Sequence, residues 1–183
     1  MKSFEEHLEL GRLGERMVST WVQSQGYGVI PSYNYTGDGN DKAPKLMFSD
    51  AGFVVPDLDV AFRGKRFWVE VKTYYYAPRN RKHGINVHGI TRRLYEDYLQ
   101  VERSTGCLVY LVVLEISTGK LLRLELAEAK TYPCQCKSCS ANTGDCTADV
   151  KRGCYFNRDD FKCINTFSDP EMEEVRVFHN GNR

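Results

Sequence analysis

The chain has 183 residues, 42% apolar and 27% charged, a globular composition that suits one domain with a full core. Its longest apolar run, CLVYLVVL at 107–114, is far too short to span a bilayer, and the charged start MKSFEEHLELGRLGER lacks a secretory pattern, so a cytoplasmic protein is expected. Net charge is only +1, but residues 60–95 hold nine Lys/Arg against a single acid, Glu70, and this local basic field suits a polyanionic partner such as nucleic acid.

Residues 3–25 read as a helix, with Leu10, Leu13, Met17, Val18 and Trp21 on one apolar stripe and Gly26 as its stop. GYGVIPSYNY (26–35) leads into an edge strand, and TGDGNDKAPK (36–45) reads as a flexible loop. PDLDVAFRGKRFWVEVK (56–72) is a hairpin whose second strand runs on through Thr73 and the tyrosines. PRNRKHGINVHG (78–89) reads as a long polar loop. A helix over 90–106 turns Leu94, Tyr98 and Val101 inward, and CLVYLVVLEI (107–116) is a buried strand. LLRLELAEA (121–129) alternates as a strand before a short helix, and EEVRVFHN (173–180) adds one more short strand. The order implies an α/β (α+β) domain with a central mixed sheet flanked by helices. Residues 1–130 form the core, 131–165 a Cys-rich appendage and 166–183 a tail.

The hairpin carries an unusual set of charges. A tight turn at Gly64–Lys65 pairs Phe62 with Phe67, Asp59 with Glu70 and Asp57 with Lys72. Side chains alternate, so Leu58, Val60, Phe62, Phe67, Val69 and Val71 face the core, and Asp57, Asp59, Trp68, Glu70 and Lys72 share the other face. Cross-strand neighbours lie about 5 Å apart. Three carboxylates that close repel one another unless a cation sits among them, and oxygen ligands favour Mg²⁺ or Mn²⁺. Such an ion can activate water and neutralise a phosphate, which is metal-assisted phosphodiester hydrolysis. The plainer alternative is a solvated sheet face with cross-strand ion pairs.

Pro56-Asp57, twelve intervening residues, then Glu70-Val71-Lys72 resembles the core of the PD-(D/E)XK nuclease superfamily, which holds restriction endonucleases, Holliday junction resolvases and many phage nucleases. The stretch GRLGERMVSTWVQSQGY is similar to the GxxGE opening of related small nucleases and offers Glu15, and HGITRRLYEDYLQV is similar to phage-type members. The resemblance covers roughly residues 5–125. It implies a restriction-endonuclease-like fold and a Mg²⁺- or Mn²⁺-dependent nuclease acting on DNA, including branched DNA. Asp57 and Glu70 would bind the metal, with the Val71 carbonyl as a further ligand and Glu15 assisting. Lys72 would polarise the attacking water or steady the pentacovalent phosphate. Asp59, where the family commonly has an apolar residue, is either a second ligand or a replacement for Asp57.

Around the motif, Tyr74 and Tyr76 continue the same face and could stack bases, or simply fill a strand edge. Arg79, Arg81, Lys82 and Arg92 are candidate phosphate contacts, and His83 and His88 lie in a loop that could cover the site. Cys134, Cys136, Cys139 and Cys146 fall within thirteen residues and could hold Zn²⁺, or be scattered reduced thiols, while Cys107 is a small hydrophobe at the start of a core strand. Two other classes remain open: a nucleic-acid-binding module that keeps the fold without cutting, and a zinc-stabilised structural or adaptor protein. A homodimer would suit paired cuts.

Overall fold

The computed structural model describes residues 3–32, 44–132 and 153–181. Helix α1 (Phe4–Ser24) starts at a reciprocal cap: Ser3 N donates to Glu6 Oε2 at 2.5 Å, and Glu6 N donates to Ser3 Oγ at 3.1 Å. Its buried side is Leu10, Leu13, Gly14, Val18 and Val22, and the expected Met17 and Trp21 are half-buried against the same core. Then come β1 (Gly28–Pro31), a short hairpin of β2 (Lys45–Met47) and β3 (Gly52–Val54), and the hairpin of β4 (Leu58–Phe62) and β5 (Lys65–Tyr74). Strands β6 (Arg79–Asn80) and β7 (Ile85–Thr91) lead into α2 (Arg92–Thr105). This helix is capped by the Thr91 side chain and ends at Gly106 with φ 65°. Strands β8 (Val109–Glu115), β9 (Lys120–Glu125), β10 (Gly153–Asn157) and β11 (Lys162–Thr166) follow, with a single 3₁₀ turn at Arg158–Asp160, and α3 (Asp169–Gly181) closes the chain.

Six strands form one mixed sheet in the order β1-β4-β5-β8-β9-β11. Among the described strands only β5 and β8 pair in parallel, with Glu70 opposite Leu111 and Lys72 opposite Val113. A parallel pair needs a crossover, and the crossover here holds β6, β7 and α2. Both faces of the sheet are covered. On one, α1 and α3 pack Leu10, Val18, Met172 and Val175 against Val69, Val71 and Val112. On the other, Tyr98 and Val101 of α2 pack against Trp68, Leu111, Val113 and Leu124. Burial on both sides explains why β8 reads as a continuous apolar run, each fully buried Val or Leu contributing about 2 kcal/mol.

Four sequence expectations change. The 78–89 segment is not a loop: β6 pairs with β7, and β7 pairs with β10 in a separate three-stranded sheet. The 173–180 segment is helical, because Met172, Val175 and His179 fall on one face of α3. The strand within 121–129 ends at Glu125, and a turn rather than a short helix follows it. The hairpin turn lies at Arg63–Gly64, with φ 47° and 79°, one residue earlier than expected. The pairing therefore shifts by two residues, to Leu58 with Val69, Asp59 with Trp68 and Phe62 with Lys65. A shift of two keeps every side chain on its expected face. No helix among the described residues is long and apolar enough to cross a membrane.

Candidate active site

Asp57 sits one residue before β4, and Glu70 and Lys72 lie on β5. Asp57 is 7% exposed and Glu70 1%. The expected face is thus not a wet one, because α2 covers it. Val71 N donates to Asp57 Oδ2 at 2.8 Å. Lys72 Nζ forms an ion pair with Glu70 Oε1 and donates to the Val71 carbonyl at 3.2 Å. Tyr98 of α2 donates its hydroxyl to Glu70 Oε2 at 2.5 Å.

Helix α1 reaches this group through Gly14, which lies so close to β5 that a Cβ there would fall 1.8 Å from Thr73 Oγ1. The next residue, Glu15, lines with Asp57, Glu9, Arg12 and Arg16 a cavity of about 530 Å³. Burial, then the Glu70 carboxylate, and then Glu15 push the Asp57 carboxyl well above the usual range, against the pull of Lys72 and the Val71 N–H. For Lys72, burial works to lower the pKa, and the Glu70 and Asp57 carboxylates outweigh it, so the ammonium stays charged. A third of the lysine side chain still reaches solvent.

These residues fit a hard divalent cation. Asp57 Oδ1 has no donor among the described residues, and its carboxyl is strained by negative neighbours that a cation would relieve. The Val71 carbonyl lies in the same group. Among the described residues no three His, Cys, Asp or Glu side chains are spaced to hold an ion by themselves, so such a site would be completed by backbone carbonyl and water.

Asp59 is held apart from this group. Its carboxylate is gripped by Arg66, with Arg66 Nε donating to Oδ1 at 2.7 Å and Nη2 paired to Oδ2. That contact follows from the shifted register, which sets Asp59 opposite Trp68 rather than Glu70.

The flanking residues divide. Tyr74 turns inward: its hydroxyl donates to the Gly89 carbonyl at 2.5 Å and its ring stacks on His88 at 5.2 Å, so neither is presented to solvent for a base. Tyr76 is exposed, as are Arg79, Arg81 and Lys82 about the β6–β7 turn. Arg92 is exposed and bonded to Glu96 at 2.7 Å. His83 is exposed against the Tyr132 ring. His88 is not a loop residue. It is buried on β7, with Nε2 2.9 Å from Glu115 Oε1, and Arg158 grips the same carboxylate through Nε and Nη2 at 2.7 Å each. Cys107 is half-buried against the α2-side core. Cys134, Cys136, Cys139 and Cys146 lie outside the described residues.

Two site residues escaped the sequence reading. Tyr98 was expected inward, and the signal for more was its hydroxyl, since a buried phenol needs a partner. Gly14 is the other: a glycine inside a helix is costly unless something presses against it.

The chain matches no family model and no curated protein sequence. Among solved structures it is similar to Hjc, a Holliday junction resolvase from the archaeal hyperthermophile Archaeoglobus fulgidus, with a TM-score of 0.52 and 11% identity over 84% of this chain and 91% of that one. It also matches a nuclease from a fusselovirus, with a TM-score of 0.44 and 11% identity over 99% and 96% of the two chains. At such identity the resolvase likeness speaks for the fold, and this chain has the restriction-endonuclease-like fold that the resolvase shares.

Proposed function

We propose that the protein is a Mg²⁺- or Mn²⁺-dependent nuclease of the PD-(D/E)XK type that hydrolyses DNA phosphodiester bonds. The observation that carries this reading is the buried group of Asp57, Glu70 and Lys72, tied by the Val71 N–H, at the edge of a cavity that Glu15 also lines. A surface ion pair needs no buried carboxylate whose charge its neighbours oppose. Asp57, Glu70 and the Val71 carbonyl would hold the ion, with Glu15 beside Asp57. When bound, a divalent ion supplies Lewis acidity and lowers the pKa of a bound water.

The chain's own residues would do the rest. Val71 N–H fixes the Asp57 carboxylate. Lys72, held charged by both carboxylates, orients the attacking water and stabilises the charge that grows on the phosphate. Exposed Arg79, Arg81 and Lys82 offer phosphate contacts. The similar resolvase is named for Holliday junctions, so branched DNA is the substrate to try first. Paired cuts at a branch would take two copies of the chain.

The test is cleavage of a four-way junction, linear duplex and supercoiled plasmid with Mg²⁺ or Mn²⁺, and with EDTA. The reading expects metal-dependent nicking, with the junction cut fastest. DNA binding without cutting of any substrate would reduce the protein to a binding module of the same fold.

A further inference from the structure

We propose that Tyr98 is a positioning residue that orients Glu70 for the divalent ion, a role that rests on the metal-centre reading above. Tyr98 is 1% exposed, and its hydroxyl donates to Glu70 Oε2 at 2.5 Å. Lys72 holds the other oxygen, so the carboxylate is clamped from both sides. The two donors differ. Lys72 brings a positive charge that competes with a cation, whereas the phenol fixes the carboxylate and adds no charge.

Helix α2 makes the phenol a rigid support. Val54 N donates to Asp97, the residue before Tyr98, at 3.3 Å, and Val109 N donates to Glu102 at 2.8 Å. The helix is thereby tied to β3 and to β8, the parallel neighbour of the strand that carries Glu70. A free Glu side chain loses rotamer freedom when it is fixed. With Tyr98 in place that loss is taken during folding rather than at metal binding, which is how outer partners of metal ligands raise affinity.

A packing role makes a different demand. A phenylalanine fills the same space, so packing alone predicts no change in metal binding. The experiment measures Mn²⁺ binding to EDTA-stripped protein by electron paramagnetic resonance, beside cleavage as a function of Mn²⁺. The variants are Tyr98→Phe, Glu70→Gln, their double mutant, and Tyr95→Phe as a control on the same helix, where the ring packs on Phe156. Tyr98→Phe should weaken Mn²⁺ binding by about 10- to 100-fold, with cleavage recovered at high Mn²⁺. Tyr95→Phe should match the wild type, and Tyr98→Phe should cost nothing further in the Glu70→Gln background. Wild-type Mn²⁺ affinity in a folded Tyr98→Phe, checked by its melting curve, overturns the proposal and leaves the metal centre standing. An equal loss with and without Glu70 overturns it as well. Glu70→Gln binding Mn²⁺ like the wild type overturns the metal-centre reading, and this proposal with it.

Discussion

Gly14 lies directly against Thr73, so close that a Cβ on the glycine would sit 1.8 Å from the threonine Oγ1. This contact lets α1 lie down on the strand that bears Glu70 and Lys72, and it fixes where Glu15 stands. Gly14→Ala should force the helix away from β5, lowering stability by about 1–3 kcal/mol and reducing cleavage per folded molecule. Gly11, three residues earlier, has nothing within 4 Å of its would-be Cβ. Gly11→Ala should stabilise the protein by about 0.5–1 kcal/mol through helix propensity and leave cleavage intact. Urea melts of both variants, with cleavage assays, check the pair; equal effects would deny the close approach its role.

Asp57 should trade stability for function. Its carboxyl is raised by burial, by Glu70 and by Glu15, so its folded pKa lies above the unfolded value of about 4. The stability this group contributes is full below that unfolded value and is lost as pH rises through the raised one. Asp57→Asn keeps an acceptor for the Val71 N–H and removes the charge. In EDTA it should be more stable than the wild type at pH 7, by on the order of 1 kcal/mol, with the gap closing near pH 4, and it should not cut DNA. Urea melts at the two pH values read the sign directly. A variant less stable at pH 7 would contradict it.

The two aspartates of β4 and its entry should separate cleanly. Asp59 is gripped by Arg66, whereas Asp57 belongs to the group around Glu70. Asp59→Asn should lower cleavage less than about tenfold, and Asp57→Asn by about 10³-fold or more. Comparable losses would return Asp59 to the site and mean that the hairpin pairs differently.

Glu115 anchors the far end of β8. Burial acts to raise its pKa, but bonds from His88 and Arg158 outweigh that and bring it down to about 2. A depressed pKa stabilises the fold above the unfolded value of about 4.3 and is lost as pH falls toward 2. Glu115→Gln should cost about 3 kcal/mol at pH 7, since it strands Arg158 beside buried His88, and much less near pH 2. Denaturation curves across that range test it.

Much of this was legible in the chain. The α1 stripe, the hairpin and the buried β8 announce themselves through periodicity, because each packs a regular face. The faces of the hairpin survived a wrong register for a simple reason, since side chains alternate with a period of two and the error was two, but the shift moves Asp59 away from Glu70 and onto Arg66. The error arose because Arg63 takes a positive φ, which a sequence reader assigns to glycine. Strand β7 was missed because it pairs with β10, more than sixty residues on, and no local pattern announces that partner. The α3 stripe became clear only once Met172 was counted with Val175 and His179. Tyr98 could be placed inside but not given its task, since the bond to Glu70 joins a helix to a strand 28 residues away.

The measurement that bears most directly on the central claim is nicking of supercoiled plasmid by the wild type and by Lys72→Ala, with Mg²⁺ and with EDTA. Lys72 carries the charge that both buried carboxylates maintain, and a third of its side chain faces solvent, where a phosphate could reach it. The account predicts Mg²⁺-dependent nicking that falls by about 10²- to 10³-fold in a folded Lys72→Ala. Nicking that persists in EDTA, or that Lys72→Ala retains in full, would contradict it.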